Sequence, residues 1–361
     1  MYLKNIKINN FRNYESTNLN LSPNINIIYG NNAQGKTNLL ESIYFLAITK
    51  SHRTTNESKL IRTGEETLYL KGDLKTNKGD YLLELGFDKI KKKLKINKNI
   101  ITKKNEYITY MKLVIFAPED MKLVKDGPIE RRKFLNVAIS QVNSNYLIIL
   151  NDYNKLLNIR NDLLRKYQKG EQVDEYYFEI ITQHMIKRGK NVIKARNIFI
   201  EKLNYHIKKI YMDIFPDNLL ELEYKTNIKD YENDLKINKN LEIKSGNTII
   251  GPHKDDLIFS INNENIKVYG SQGQQRVAVL ALKLAQLKIY ENLMDESPIL
   301  LLDDVFSELD DIKKNNLLKY LKKETQVIIT TTDLKNIDNQ IIQKAKKIQI
   351  NKGNIENIEV E

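Results

Sequence analysis

The sequence contains no cysteine and no tryptophan, and only four histidines in 361 residues. Without cysteine there is no disulfide framework, no thiol nucleophile and no cysteine-based zinc site. The histidines, His52, His184, His206 and His253, are scattered, so a histidine-rich metal site is not expected. No apolar run approaches the roughly 20 residues that a membrane span needs, and the N-terminal segment lacks the layout of a signal peptide. We therefore expect a soluble, cytoplasmic protein that has no membrane partner.

Basic residues outnumber acidic ones, with 58 Lys and Arg against 46 Asp and Glu and a net charge of +12. This bias favours polyanionic partners such as nucleic acid. Lysine, asparagine and isoleucine are abundant throughout, however, and a compositional skew of this kind also raises the charge. The charge alone therefore leaves both explanations equally open.

The spacing of hydrophobic residues changes along the chain. Up to about residue 101 the pattern alternates in short runs, which predicts strands, apart from a helical stretch at 39–47. Between Pro128 and Pro216 apolar residues recur every three or four positions, which predicts a helical hairpin or a small helical lobe. Strand-like sequence then returns, followed by a long helix at 277–293. The length corresponds to about two domains.

Residues 30–37 read GNNAQGKT and fit the phosphate-binding pattern G-x-x-x-x-G-K-[ST], known as the P-loop. An apolar strand precedes the motif and a helix follows it, as the motif requires. Backbone N–H groups of such a loop wrap the phosphates, the lysine reaches the outer phosphates and the threonine hydroxyl ligates Mg²⁺. The sequence therefore predicts a site for ATP and Mg²⁺. Its residues are Gly30, Asn31, Asn32, Ala33, Gln34, Gly35, Lys36 and Thr37.

An acidic partner for this loop follows the apolar run 299–302. Asp303 and Asp304 come directly after that run, at the carboxyl end of a buried strand. We expect Asp303 to hold Mg²⁺ through water, together with Thr37. Asp304 is placed to act as the general base toward the attacking water.

Asp303 lies 267 positions after Lys36, so the two halves of one nucleotide site are far apart in the chain. We therefore predict an α/β fold, a P-loop ATPase head that is split by an insertion. The N-terminal part of the head is predicted at 1–118, the helical second lobe at 119–216, and the C-terminal part at 217–361.

A third element, SQGQQR at 271–276, stands directly before the long helix. Ser and Gly at a helix N-terminus form a phosphate site. Since the chain already has a P-loop, we interpret Ser271, Gln272, Gly273 and Gln274 as a signature motif donated in trans to the nucleotide of a second subunit. The order of P-loop, signature, acidic strand and the SELD segment at 307–310 resembles ABC-type ATPases, whose heads sandwich two ATPs between two subunits. Asp310 then belongs to the D-loop.

Four further stretches narrow this resemblance to the RecF family, in the SMC-like DNA-repair branch. They are NFRNY at 10–14, SHRT at 51–54, APEDMKLVKDGPIERRKFLN at 117–136 and GPHKDDL at 251–257. Together with the nucleotide motifs they span almost the whole chain in the right order. The resemblance also implies that Arg12 belongs to the ATP site.

The RecF resemblance implies a recombination mediator for DNA repair and replication, including the SOS response. Such a protein dimerises with ATP on gapped or junction DNA, with single-stranded and double-stranded DNA as partners. It works with RecO and RecR to load RecA recombinase onto single strands coated by single-strand binding protein. The resemblance also implies a weak, DNA-stimulated ATPase that uses slow hydrolysis as a release switch.

Two departures from ABC-type ATPases stand out. Many of those proteins carry Glu where this chain has Asp304, and the shorter side chain would hold water less closely, which suits slow hydrolysis. The switch histidine expected after the apolar strand 327–329 is missing. Thr330, Thr331, Thr332 and Asp333 stand in its place.

Basic residues that could contact DNA phosphates are Lys91, Lys92, Lys93, Arg131 and Arg132. An exposed, solvated basic surface explains them equally well. His253 with Asp255 and Asp256 could form a metal cluster, although a hydrogen-bonded loop is the better interpretation of three such residues on one turn.

Two other functions remain open at this point. One is a nucleotide-binding subunit of another ABC-type assembly, such as a transporter. The other is a DNA-binding module with an inert ATP site. Binding to DNA and DNA-stimulated phosphate release distinguish these two functions from that of a recombination mediator.

Overall fold

The structure is a computed structural model that describes residues 1–216, 218–294, 296–305, 320–321 and 324–359. Asp310 and the rest of the predicted D-loop lie outside these residues. The chain divides into two compact units. Unit 1 is Met1–Met121, Lys209–Asp217 and Arg276–Glu361, and unit 2 is Lys122–Lys208 and Asn218–Gln275.

The strands are β1 (Tyr2–Phe11), β2 (Tyr14–Asn20), β3 (Ile25–Tyr29), β4 (Leu68–Thr76), β5 (Gly79–Phe87), β6 (Lys92–Ile96), β7 (Asn99–Ile101), β8 (Leu113–Phe116), β9 (Leu220–Lys225), β10 (Asp256–Ile261), β11 (Glu264–Asn265), β12 (Ile299–Asp303), β13 (Val327–Thr331), β14 (Ala345–Asn351) and β15 (Asn354–Glu359). The α-helices are α1 (Lys36–Ile48), α2 (Lys104–Tyr107), α3 (Lys122–Lys125), α4 (Pro128–Val142), α5 (Ser144–Gln168), α6 (Glu175–Met212), α7 (Tyr231–Ser245), α8 (Ile266–Tyr269), α9 (Gln272–Leu293) and α10 (Asn339–Ile342). Short 3-10 helices occur at Glu57–Leu60, Pro118–Met121 and Leu334–Asn336.

Unit 1 contains a six-stranded sheet in the order β15-β14-β3-β13-β12-β8. All pairs in it are parallel except β14 with β15. Every residue of β12 and β13 is buried, as expected for parallel strands whose two faces are both covered. Because the strands run parallel, the P-loop after β3 and the acidic residues at the end of β12 meet at one edge of the sheet.

A second, antiparallel sheet of unit 1 has the order β2-β1-β4-β5-β6-β7. Its strands alternate between buried and exposed side chains, which is the period-2 pattern that predicts a small antiparallel sheet near 68–101. The structure confirms that sheet and adds β1 and β2 to its edge.

Unit 2 contains the long helices α5 and α6 that the three- and four-residue spacing predicts. Arg160 of α5 is fully buried and bonds Thr182 of α6 (3.1 Å), Thr248 (2.8 Å) and Glu242 of α7 (2.7 Å). Because each of these polar groups has a partner, they stabilise the packing of the helices instead of opposing it.

Unit 2 also includes residues 218–275, which the sequence placed in the C-terminal part of the head. These residues form the sheet β11-β10-β9, and β10 packs on α4. The observed boundary therefore differs from the predicted one, and the second lobe is not purely helical. The physical reason is packing within unit 2, where α7 lies on α5 and a partly buried ion pair joins Arg131 of α4 to Asp256 of β10 over an N–O distance of 2.6 Å. Across the described ranges, no helix is both long and apolar enough to span a membrane.

Candidate functional site

The P-loop joins β3 to α1 and has backbone conformations that favour glycine. Gly30 has φ 144° and Gly35 has φ 114°. A Cβ at Gly30 would lie 2.4 Å from the carbonyl oxygen of Ile350, so only glycine fits between the loop and β14. Lys36 Nζ donates to the carbonyl oxygens of Gly30 (2.6 Å) and Asn31 (2.8 Å) and so lies along the loop. Burial lowers the pKa of Lys36, while Asp304 and Asp303 act to raise it.

The structure brings together the two predicted metal-binding residues. Thr37 Oγ1 donates to Asp303 Oδ1 over 2.9 Å, although 266 positions separate the two residues. Adjacent oxygen ligands of an octahedral Mg²⁺ at about 2.0–2.1 Å are separated by roughly the same distance. A hydroxyl and a carboxylate are also the hard oxygen donors that Mg²⁺ prefers. The residues therefore fit the ion that the P-loop implies.

Both acidic residues contact Thr330 of β13, a relationship that the sequence does not reveal. Thr330 Oγ1 donates to Asp303 Oδ1 (2.7 Å) and accepts from the backbone N–H of Asp304 (3.0 Å). Burial raises the pKa of Asp303, while the bonds from Thr330 and Thr37 lower it. Asp304 has a positive φ of 52°, an uncommon conformation for a residue with a side chain.

Arg12 lies beside the P-loop helix but is held by an acidic residue that sequence reasoning missed. Glu41 of α1 is fully buried and accepts from Arg12 Nε and Nη2, both over 3.0 Å. Ser51 Oγ donates to Glu41 over 2.5 Å, and Arg53 lies within 3.4 Å of it. Arg53 also donates to Glu119 (3.1 Å). The signal was present in the sequence, since Glu41 is the acidic residue within the mostly apolar run of the helix that follows the P-loop.

The signature residues Ser271, Gln272 and Gly273 are exposed at the N-terminus of α9. The N–H of Ser271 donates to Gln274 Oε1 (2.9 Å), and the N–H of Gln274 donates to Ser271 Oγ (3.2 Å). This reciprocal pair is a capping box, which fixes the helix start. A Cβ at Gly273 would have its nearest neighbour at 4.0 Å, so the helix terminus is open to an approaching group.

Only part of the predicted DNA-binding set is available to DNA. Lys91 and Lys93 are exposed. Lys92 instead pairs with Glu57, donates to the carbonyl oxygen of Thr49 (2.7 Å) and lies over two aromatic rings. We therefore correct the prediction for Lys92, whose side chain is occupied inside unit 1.

The same correction applies to Arg131. Its guanidinium is buried and donates to both carboxylate oxygens of Asp256, over 2.6 and 2.9 Å. Arg132 donates to the carbonyl oxygen of Asp255 (2.7 Å) but is only partly buried. The spacing of Arg131 with Phe134, Leu135 and Ala138 on one helix face is the signal that could have indicated burial.

His253 belongs to a hydrogen-bonded loop and not to a metal cluster. Its Nε2 lies 2.9 Å from the carbonyl oxygen of Thr248 and its Nδ1 lies 2.6 Å from the Tyr153 hydroxyl. Because a carbonyl only accepts, Nε2 carries the proton and Nδ1 accepts from Tyr153. Burial lowers the pKa of His253 to about 4. In the described part of the chain, no group of three His, Cys, Asp or Glu residues could hold a metal ion.

Comparisons with known proteins agree with this geometry. The family described as RecF/RecN/SMC N terminal domain matches residues 2–356. The DNA replication and repair protein RecF of Ligilactobacillus salivarius (strain UCC118) is 37% identical over 98% of this chain and 97% of its own length. RecF of Bacillus cereus (strain G9842) is 40% identical over 99% of this chain and 98% of its own length.

This chain is also similar to proteins of known structure. The recombination mediator protein RecF-ATP in the RecFOR pathway has a TM-score of 0.91 and 35% identity, covering 99% of this chain and 98% of its own. The Smc head domain from Pyrococcus furiosus bound to the C-terminal domain of ScpA has a TM-score of 0.55 and 17% identity, covering 98% and 95%. The latter similarity shows the fold alone.

Proposed function

Because this chain belongs to the RecF family of DNA replication and repair proteins, whose head is an ABC-type ATPase fold, we propose that it is an ATP-gated, DNA-binding recombination mediator. In this proposal the protein dimerises with ATP on gapped or junction DNA in the cytoplasm. With RecR and RecO it helps to load RecA onto single strands coated by single-strand binding protein. Slow, DNA-stimulated hydrolysis then releases the DNA. The observation that supports the proposal most is the contact between Thr37 and Asp303, which would complete a nucleotide site from two distant segments.

Nucleotide binding depends on the P-loop. The N–H groups of the loop and the N-terminus of α1 attract the phosphates. Lys36 Nζ, which bonds the carbonyl oxygens of Gly30 and Asn31, lies within the same loop and gains a stronger, anionic partner when the triphosphate binds.

Thr37 and Asp303 would hold Mg²⁺, since their oxygens are suitably spaced hard donors. When bound, Mg²⁺ neutralises phosphate charge and orients the phosphate oxygens. Asp303 is buried on β12, so its carboxylate is fixed before the nucleotide arrives.

Asp304 would act as the general base. It accepts a proton from water while the water oxygen bonds the γ-phosphorus and the bond to the bridging oxygen breaks, which yields ADP and phosphate. The side chain of Asp304 is one methylene shorter than glutamate, so its reach toward water is shorter. Slow turnover, suited to a switch, is the expected consequence.

Dimer formation would use the exposed N-terminus of α9. The Ser271 hydroxyl and the Gly273 N–H of one subunit, together with the dipole of α9, would contact the ATP of the other. ATP then contacts both subunits, so its binding favours the closed dimer. The charge of +12 and the exposed Lys91 and Lys93 support DNA as the partner of that dimer.

Sedimentation with and without ATP on gapped, duplex and single-stranded DNA tests the proposal. We expect ATP-dependent dimers of the wild-type protein on gapped DNA. Asp304→Asn should keep ATP-dependent binding and release phosphate at least tenfold more slowly. Lys36→Arg should impair both steps, and if it dimerised and left DNA with ATP at wild-type rates the proposal would fail.

The other two functions have distinct outcomes in the same experiment. A protein that binds ATP and dimerises but never binds DNA is a nucleotide-binding subunit of another assembly. A protein that binds DNA but releases phosphate no faster than Asp304→Asn has an inert ATP site.

A further inference from the structure

Thr330 lies at the centre of the nucleotide site although it is not part of the P-loop, the signature or the acidic pair. β13 lies between β3 and β12 in the sheet. Thr330 is opposite Asp303 on one side and Ile28, two residues before the P-loop, on the other. Its side chain is 1% exposed, so its contacts are internal.

The two hydrogen bonds of Thr330 have defined directions. Asp303 Oδ1 is a carboxylate oxygen and accepts, so the single hydroxyl proton of Thr330 points toward it (2.7 Å). The lone pair of the same hydroxyl accepts from the N–H of Asp304 (3.0 Å). The hydroxyl therefore fixes the side chain of one acidic residue and the backbone of the next.

Both residues that Thr330 contacts have a role in the proposed chemistry. At one end, Asp303 Oδ1 also accepts from Thr37 (2.9 Å), which extends the line of bonds to the P-loop. At the other end, Asp304 is held at φ 52°, a left-handed conformation that is unfavourable for a residue with a Cβ. The bond from its N–H to Thr330 helps to keep it there, and the backbone conformation sets the direction in which the carboxylate leaves the chain.

We propose, on the basis of the proposed ATPase function, that Thr330 is a positioning residue for hydrolysis: its hydroxyl holds Asp303 and Asp304 in one fixed arrangement. Thr330 is the first residue of the segment, Thr330 to Asp333, that stands where ABC-type ATPases are expected to have a switch histidine. Because it is buried and both of its bonds go to the acidic pair, it acts through Asp303 and Asp304 and not by contact with ATP. In this proposal, the γ-phosphate affects the hydrogen bonds that link Thr37, Asp303, Thr330 and Asp304 through the two carboxylates, not through Thr330.

Two substitutions of Thr330 test the role of the hydroxyl. Thr330→Val removes it while keeping the β-branched shape that suits a buried strand. We expect kcat to fall about tenfold, the equivalent of one hydrogen bond in the transition state, with KM for ATP within about threefold of the wild-type value. Thr330→Ser keeps the hydroxyl and should restore kcat to within about threefold.

Thr331→Val is the matched control. Thr331 is the next residue of β13 and is fully buried, but its hydroxyl donates to the carbonyl oxygen of Asp333 (2.9 Å). The Thr331→Val substitution therefore removes a threonine hydroxyl from the same strand without changing a contact of Asp303 or Asp304. Its kcat should stay within about twofold of the wild type.

ATP affinity, measured by fluorescence of a labelled nucleotide with Mg²⁺ and with EDTA, supplies a readout that does not depend on turnover. We expect Thr330→Val to bind ATP normally in EDTA and about threefold more weakly with Mg²⁺, because Asp303 is less well oriented. Thermal unfolding checks that the variant is folded.

The inference is overturned if Thr330→Val hydrolyses ATP at the wild-type rate, if Thr330→Ser is as slow as Thr330→Val, or if Thr331→Val loses as much. It is also overturned if affinity in EDTA falls as far as kcat, since that indicates general damage to the site. If the wild type binds ATP but releases no phosphate, the proposed ATPase function fails instead. The Mg²⁺ dependence of ATP affinity then tests whether the hydroxyl orients Asp303: a threefold loss in Thr330→Val supports that positioning, and no loss overturns the inference.

Discussion

The backbone N–H of Gly353 donates a hydrogen bond to the carbonyl oxygen of Gln34 over 2.9 Å, so the turn between β14 and β15 contacts the P-loop. The N–H of Lys352 reinforces this contact by donating to Gln34 Oε1 (2.7 Å). Asn13, in the turn between β1 and β2, donates to the same carbonyl oxygen (3.2 Å). Two hairpin turns therefore support the phosphate-binding loop from outside.

Gly353→Ala should destabilise the protein and weaken ATP binding. Gly353 has φ +80°, and a Cβ there would lie 2.9 Å from the carbonyl oxygen of Asn13, which is backbone and cannot move easily. Gly64→Ala is the control, since Gly64 has φ +91° but no neighbour within 4 Å of an added Cβ. We expect about 1 kcal/mol of lost unfolding free energy at Gly64 and at least about 2 kcal/mol at Gly353. Equal losses in urea unfolding would contradict the crowding.

The buried ion pair of unit 2 should be much more important than an exposed one. Arg160 and Glu242 are 1% and 0% exposed and lie 2.7 Å apart. Glu242→Gln leaves a buried guanidinium without its counter-charge, and we expect a loss of about 3–5 kcal/mol in unfolding free energy. Asp162→Asn, which breaks an exposed pair with Arg165, should change it by less than about 1 kcal/mol. Similar effects of the two variants would argue against the buried pair as a stabilising contact.

His253 should make the protein less stable in mild acid. Burial lowers its pKa to about 4 from the ordinary 6.5, so below pH 6.5 the unfolded chain binds a proton that the folded protein does not. The contribution of neutral His253 to the free energy of unfolding is therefore present above pH 6.5 and is lost as the pH falls toward 4. Between pH 7 and pH 5 the loss from this residue is about 2 kcal/mol.

Urea unfolding at the two pH values measures this effect. His253→Gln should lack that part of the pH dependence, whereas a substitution of the exposed His184 should retain it. An unchanged pH dependence in His253→Gln would assign the effect to other groups.

The exposed Lys91 and Lys93 should differ from Lys92, whose side chain is paired within unit 1, in their effect on DNA binding. If Lys91 or Lys93 contacts phosphate, its replacement by alanine should weaken binding and reduce the slope of log affinity against log salt by about 1. Lys92→Ala should leave that slope unchanged and lower stability by about 1–2 kcal/mol, because Lys92 pairs with Glu57 and covers Phe45 and Phe87. Salt titrations of DNA affinity and thermal unfolding distinguish the two classes. A salt slope lowered by Lys92→Ala would contradict this division.

The proposed nucleotide site rests largely on chemistry that is local in sequence. The P-loop, the signature and the acidic pair are short motifs whose residues follow one another, so their identity does not depend on which strands are neighbours. Thr330 could not be assigned in the same way. Its contact with Asp303 exists because β13 is inserted between β3 and β12, and hydrophobic spacing predicts strands without giving their order in the sheet.

The errors among the basic residues have a different cause. Lys92 shares a strand face with Leu94 and Ile96, and Arg131 shares a helix face with Phe134 and Ala138, so periodicity placed both toward the interior. The positive charge of both residues, taken alone, instead favours an exposed surface. The packing of β10 on α4 could not be predicted, because β9 and β10 have ordinary strand patterns and nothing local indicates which elements they contact.

The order of strands also bears on how the protein is made. β3 leads into the P-loop and is paired on its two sides by β13 and β14, which follow it by some three hundred residues. Near the start of the chain, the N–H of Leu3 donates to Gln326 Oε1 (2.8 Å), and Gln326 Nε2 donates to the carbonyl oxygen of Leu3 (2.9 Å). At about 5–20 residues per second, a ribosome needs on the order of 15–60 s to deliver those partners. Until then the nascent β3 has two open edges, which favour aggregation. A chain whose translation stops before β14 lacks a neighbour of the P-loop strand, and we expect such a chain to bind ATP poorly.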